Sequence, residues 1–120
     1  SFETDIPRDL PQISLDQTKI RQALFNLLRN AQESIQHTHG KILFSASAVP
    51  DGIQITISDN GCGMTEDQIE NAFRPFVTYK PGGTGLGLAV TRQIIEAHQG
   101  TLCVESTPKK GTSFYIFLPG

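Results

Sequence analysis

The run Gly82-Gly83-Thr84-Gly85-Leu86-Gly87-Leu88 constrains this chain more than any other stretch, because a helical pattern follows it at once. A glycine-rich turn passing straight into a helix leaves backbone N–H groups uncovered at the end where the helix dipole adds partial positive charge. That combination is a cradle for an anion, phosphate above all. Two common cradles are excluded by spelling: no Gly-Lys-Ser/Thr follows, so this is not a P-loop, and the third glycine of the dinucleotide fingerprint is missing at its required spacing. One glycine here could be a cap or a hairpin residue. So many of them ahead of a helix favour phosphate binding.

At 120 residues the chain is expected to form a single domain, 1–120, long enough for a core. The net charge of -2 and the lack of a basic run argue against nucleic acid as a main partner. No apolar stretch approaches membrane-spanning length and no signal-peptide pattern opens the chain. Cys62 and Cys103 stand far apart and match no metal spacing, so they read as free thiols in a reducing cytosol. Ser1 falls inside what reads as a strand, which suggests a piece of a longer protein.

Ser1–Ile6 reads as a short strand, and a connector runs from Pro7 to Pro11. A helix is expected from Asp16 to Ile35, with Ser14 or Asp16 as N-cap and Gly40 beyond its end. Ile20, Leu24, Leu27, Leu28, Ala31 and Ile35 recur at helical spacing as its buried stripe. Strands at Lys41–Val49 and Ile53–Asp59 flank a Pro50-Asp51-Gly52 turn. Thr65 and Gln68 form a capping box for a short helix over Glu66–Ala72. Phe73 to Gly83 lacks periodicity and reads as a mobile loop. A third helix runs from Gly85 to His98 and ends at Gly100. Strands at Thr101–Ser106 and Ser113–Leu118 enclose a Pro108-Lys109-Lys110-Gly111 turn. The expected fold is α+β: a two-layer sandwich, with a mixed, mostly antiparallel sheet covered on one face by three helices.

Within that frame, Asn26 and Asn30 fall at about 200° and 240° when Leu24 is set to zero and each residue turns about 100°. The apolar stripe lies opposite, so the two amides share a polar face. Asn carbonyl oxygens suit Mg²⁺, which keeps most of its waters and also binds substrate phosphates; a solvated helix face is the commoner reason for such a pair. Ile53, Ile55, Ile57 and Asp59 alternate, which puts a carboxylate on an apolar face where it needs a donor. An exocyclic amine of a purine would serve, and Gly61 and Gly63 would let a flat ring approach the backbone. Asn60-Gly61 is also an ordinary turn signal. Lys80, beside the glycine turn, could reach phosphate oxygens, whereas Arg74 reads as a surface-loop residue. Gly111-Thr112 is a candidate second polar wall. His37, His39 and His98 have no companion carboxylate or cysteine pair.

Taken in order, these segments resemble the N, G1, F and G2 boxes of the catalytic ATP-binding domain of bacterial sensor histidine kinases. They are Asn26-Leu27-Leu28-Arg29-Asn30-Ala31, Asp59-Asn60-Gly61-Cys62-Gly63-Met64, Phe73-Arg74-Pro75-Phe76 and Gly83-Thr84-Gly85-Leu86-Gly87-Leu88. Gly111-Thr112-Ser113-Phe114 is similar to the family's last glycine motif. The run Thr78-Tyr79-Lys80-Pro81-Gly82-Gly83 looks like the short lid of the nitrogen-regulation type. Arg29 and Glu33 stand where many relatives carry a lysine, and Gln99 where relatives often have a second glycine.

The resemblance implies a Bergerat (GHKL) fold with ATP and Mg²⁺ as ligands. Asp59 would accept from the adenine amino group, Thr112 would hold the base through water, and Asn30 would bind Mg²⁺ with Asn26 in support. Gly61 and Gly63 would line the base. Lys80, Gly83, Thr84 and the amides of Gly85, Leu86, Gly87 and Leu88 would hold the phosphates. ATPases and serine kinases of the superfamily carry Glu at the first N-box position, as a base for water. Here Asn26 stands there, and an amide takes no proton at neutral pH. The implied role is transfer of the γ-phosphoryl group to a histidine on a separate dimerisation domain, with Asn26 and Lys80 as catalytic residues and a response regulator downstream. The implied setting is a cytoplasmic, monomeric domain of a homodimeric parent, itself a candidate for anchoring in the inner membrane. The alternatives are a GHKL ATPase or serine kinase, and a nucleotide-gated docking module without phosphotransfer.

Overall fold

A computed structural model describes residues 2–5, 16–35, 39–71 and 87–119. Along the chain these form β1 (Phe2–Asp5), α1 (Gln17–Ser34), β2 (Ile42–Val49), β3 (Gly52–Asp59), α2 (Glu66–Asn71), α3 (Gly87–Ala97), β4 (Thr101–Thr107) and β5 (Gly111–Pro119). The expected loop over Phe73–Gly83, and with it Lys80 and the first part of the glycine turn, lies outside the described residues.

Helix α1 begins where its side chains require. Asp16 is in extended conformation, and its carboxylate accepts from the Lys19 amide at 3.1 Å, covering one of the donors a helix start leaves open. Its buried stripe is Ile20, Ala23, Leu27, Ala31 and Ser34. Leu24 and Leu28, expected at the centre, lie half-buried on its margins, and Ile35 is the extended C-cap. The reason is size: Ala23 and Ala31 hold nothing between the helix axis and its neighbours, so they take the line of closest approach, and the leucines flank it.

The sheet order is β1-β2-β3-β5-β4, with β1 parallel to β2 and every other pair antiparallel. Alternation sends Ile55 and Ile57 of β3, Leu102 of β4 and Phe114, Ile116 and Leu118 of β5 to the inner face. There they meet α1 together with Ile94 and Ile95 of α3. The outer face is mixed, with Leu43, Tyr115 and Phe117 among polar residues: Ser58 and Ser113, opposite each other across β3 and β5, share a hydrogen bond of 2.8 Å. This is the expected α+β sandwich. Covering of the sheet falls to α1 and α3. Helix α2 buries none of its side chains, and its start is held by the expected capping box: the Thr65 amide donates to Gln68 Oε1 at 2.9 Å and the Gln68 amide to Thr65 Oγ1 at 3.2 Å.

Two helix ends are joined by one ring. His98 Nε2 accepts from the Asp16 amide at 3.0 Å, so the proton sits on Nδ1 and is donated to the Ile94 carbonyl at 2.9 Å. The end of α3 is thereby tied to the start of α1.

Helix α3 closes in a Schellman arrangement, with the Gly100 amide on the Ile95 carbonyl and the Gln99 amide on the Glu96 carbonyl, both at 2.9 Å. The residue that turns left-handed is Gln99, at φ 62°. A side chain there works against the backbone, so Gln99→Gly is expected to stabilise the domain by about 0.5–1 kcal/mol. Thermal unfolding of the pair reads this directly, and a lower melting temperature for the glycine variant would show that the Gln99 side chain has compensating contacts.

Candidate functional site

Three polar side chains stand in one row at one end of the inner face. In the β3–β5 ladder Asp59 is opposite Thr112, and in the β4–β5 ladder Thr112 is opposite Ser106. Below that row the inner face is Ile57, Phe114 and Val104. A carboxylate and two hydroxyls so close to an apolar layer must be satisfied within the site.

Asp59 Oδ1 takes two donors: the Ser34 hydroxyl at 3.0 Å and the Gly61 amide at 2.8 Å. Its other oxygen, Oδ2, is also buried. With Oδ1 held by two donors, the orientation of the carboxylate is set. Thr112 is buried, and its Oγ1 lies 2.8 Å from Ser106 Oγ. Ser106 Oγ also lies 2.9 Å from the Gly111 carbonyl and accepts from the Met64 amide at 2.8 Å.

The segment after β3 is strapped down at nearly every residue. Asn60 Oδ1 accepts from the Lys41 amide at 2.7 Å, and its amide group donates to the His39 carbonyl at 2.9 Å. The Cys62 amide donates to the Ser34 carbonyl at 2.9 Å, and the Lys109 amide donates to the Cys62 carbonyl at 2.6 Å. Gly61 was expected to lack a side chain so that a flat ring could approach. The structure gives a different reason: a Cβ on Gly61 would collide with the hydroxyl and carbonyl of Ser34, and one on Gly63 with the Thr107 carbonyl. These glycines let the strap lie against its own fold, so the floor of the site is preorganised.

Above the row runs α1. Asn26, Asn30 and Ser34 are spaced by four residues and therefore share one stripe of the helix. The two asparagines are half-buried and Ser34 is buried. The structure thus brings the Asn26/Asn30 face and the Asp59–Thr112 row to the same helix, with Ser34 as the contact between them. Gly87 and Leu88 open α3, Leu88 packed against the core. Lys80, Gly83, Thr84, Gly85 and Leu86 lie outside the described residues. Cys62 is exposed. Among the described residues no three His, Cys, Asp or Glu side chains gather as a metal site, and no helix is long and apolar enough to cross a membrane.

Two residues of this site were missed in the sequence, Ser34 and Ser106. Both carry a signal. Ser34 continues the four-residue spacing of Asn26 and Asn30, and Ser106 follows Leu102 and Val104 on the inward side of β4, as Asp59 follows the isoleucines on β3.

The model of the histidine kinase-, DNA gyrase B- and HSP90-like ATPase family matches residues 15–120. The chain belongs to this family. Among relatives of this ATPase-family domain, sporulation kinase B of Bacillus subtilis is 45% identical over 104 residues, covering 87% of the chain and 24% of that kinase. The sensor histidine kinase ZraS of Escherichia coli O157:H7 is 44% identical over 110 residues, covering 92% of the chain and 24% of that kinase. The chain therefore spans about a quarter of the length of these relatives. Among solved structures, the mycobacterial sensor histidine kinase MprB superposes with a TM-score of 0.86 at 29% identity, over 99% of this chain and 80% of that one. The catalytic domain of histidine kinase ThkA superposes with a TM-score of 0.82 at 36% identity, over 98% and 76%. The fold is the ATP-binding GHKL fold, and relatives named as sensor histidine kinases share it.

Proposed function

We propose that this domain binds ATP with Mg²⁺ and presents the γ-phosphoryl group to a histidine on a separate dimerisation domain. The observation that carries the reading is the fixed Asp59 carboxylate. Its Oδ1 is held by Ser34 and Gly61, which sets the direction in which the buried Oδ2 presents its lone pairs, as an acceptor suited to the adenine amino group. Thr112, opposite Asp59 in the neighbouring strand, is proposed to hold the base through water. An acceptor carboxylate held in this way fits a purine that carries an amino group.

On the helix above, the amide oxygens of Asn30 and Asn26 suit a hard cation that takes its remaining oxygens from water and phosphate. Mg²⁺ would neutralise phosphate charge there. Lys80 and the amides of Gly85, Leu86, Gly87 and Leu88, with Gly83 and Thr84 before them, are proposed to hold the phosphates, the helix N-terminus adding its dipole. Catalysis would then be positioning and charge neutralisation.

Asn26 decides between water and a protein as acceptor. Its amide cannot deprotonate water, so hydrolysis lacks a base at that position. An imidazole nitrogen brings its own lone pair: the bond between the γ-phosphorus and the bridging oxygen breaks, an N–P bond forms, and ADP leaves. The longer protein is proposed to act as a homodimer on the cytoplasmic side and to hand the phosphoryl group on to a response-regulator receiver domain.

The test uses γ-labelled ATP and Mg²⁺. The chain alone is expected to turn over ATP slowly and to retain no stable label. With a dimerisation domain carrying its phosphoacceptor histidine added in trans, acid-labile, base-stable phosphohistidine is expected. Fast turnover by the chain alone would favour an ATPase or serine kinase. Nucleotide binding with no phosphohistidine would favour a docking module.

A further inference from the structure

Ser34 is the one buried polar side chain on α1 among the described residues, and it meets the site in three ways. Its hydroxyl lies 3.0 Å from Asp59 Oδ1, its carbonyl accepts from the Cys62 amide at 2.9 Å, and both occupy the space a side chain on Gly61 would need. The hydroxyl also lies 2.9 Å from the Ala31 carbonyl. It has one proton for two acceptors, and the carboxylate, being charged, is the stronger. Burial keeps water from replacing that donor. The backbone bond to Cys62 does not depend on the side chain, so removing the hydroxyl releases Asp59 while the strap stays attached.

Resting on the reading that Asp59 accepts from the base, we propose that Ser34 is the positioning residue of the adenine site. Its hydroxyl aims the Asp59 carboxylate at the amino group of the base. Because Ser34 follows Asn26 and Asn30 on one helix stripe, the same rigid element sets the spacing between the base end and the metal end of the site.

The experiment compares ATP with purine riboside triphosphate, which lacks the 6-amino group, by titration calorimetry. Wild type, Ser34→Ala and Ser34→Cys are measured, with tripolyphosphate as the baseless probe. Wild type is expected to prefer ATP. Ser34→Ala is expected to lower that preference about tenfold, with the affinities for purine riboside triphosphate and tripolyphosphate held within about twofold. Ser34→Cys keeps a side-chain donor, though a weaker one on a somewhat larger atom, and is expected to fall between; it also carries the test if the alanine variant does not fold. Absence of any preference in wild type would overturn the Asp59 reading, and this inference with it. A wild-type preference that survives unchanged in both variants would overturn the role of Ser34 alone. So would an equal loss for all three probes in the alanine variant beside an unchanged preference in the cysteine variant, the signature of a merely structural role.

Discussion

Asp59→Asn is expected to weaken ATP binding by about 100-fold, roughly 3 kcal/mol, while tripolyphosphate binding stays unchanged. The size follows from which oxygen is already held. Ser34 and the Gly61 amide both donate to Oδ1, so an asparagine will turn its own oxygen toward them. Its NH₂ group then stands where Oδ2 was, facing the amino group of the base, donor against donor. Removal of the charge adds to that loss. The same geometry predicts a change of preference: a 6-oxo purine triphosphate offers an acceptor to that NH₂ group and is expected to gain relative to ATP. Titration of ATP, inosine triphosphate and tripolyphosphate against both proteins checks this. Equal losses for ATP and tripolyphosphate would remove Asp59 from the base.

Gly111→Ala is expected to be the most damaging small substitution for stability, at about 3 kcal/mol and a fall in melting temperature on the order of 10 °C. Gly111 opens β5 at φ 133°, a conformation that L side chains rarely adopt. A methyl group there would strike the Asp59 carbonyl and come within 2.9 Å of Asn60 Cα, and neither is a flexible tip that could swing away. The relief would have to come from the β3–β5 ladder, where Asp59 and Thr112 sit side by side. Nucleotide affinity should therefore fall along with stability. Chemical and thermal unfolding measure the first effect, and an unchanged melting temperature would show that the ladder yields at no cost.

Much of the fold was legible because its signals are local. The alternation of Ile53, Ile55 and Ile57 and the Thr65–Gln68 capping box each report a structure that repeats or closes within a few residues. So did the N-cap, read as Ser14 or Asp16 and formed by Asp16. The stripe of α1 was read with Ile20, Leu27 and Ala31 in it but with Leu24 and Leu28 in place of Ala23, because a periodicity weighted by hydrophobic size favours leucines over a small residue on which the helix rests. The end of α3 was read at Gly100, and the residue that turns left-handed there is Gln99. Glycine is the usual occupant of that position, and nothing local marks Gln99 as the residue that takes it.

By itself the sequence determined the order of elements, the glycine-rich spelling ahead of α3, the shared face of Asn26 and Asn30, and the absence of a carboxylate base at position 26. Each of these depends on residues within one element. Only the tertiary structure decided that Ser34 grips Asp59, that Ser106 joins Met64 to Thr112, and that Gly61 and Gly63 are small to admit their own fold. Those partners lie far apart along the chain, and they meet because β5 enters the sheet between β3 and β4 while the last turn of α1 comes down on the end of β3. Strand order and helix docking are set by how the whole core packs, and no local periodicity encodes them.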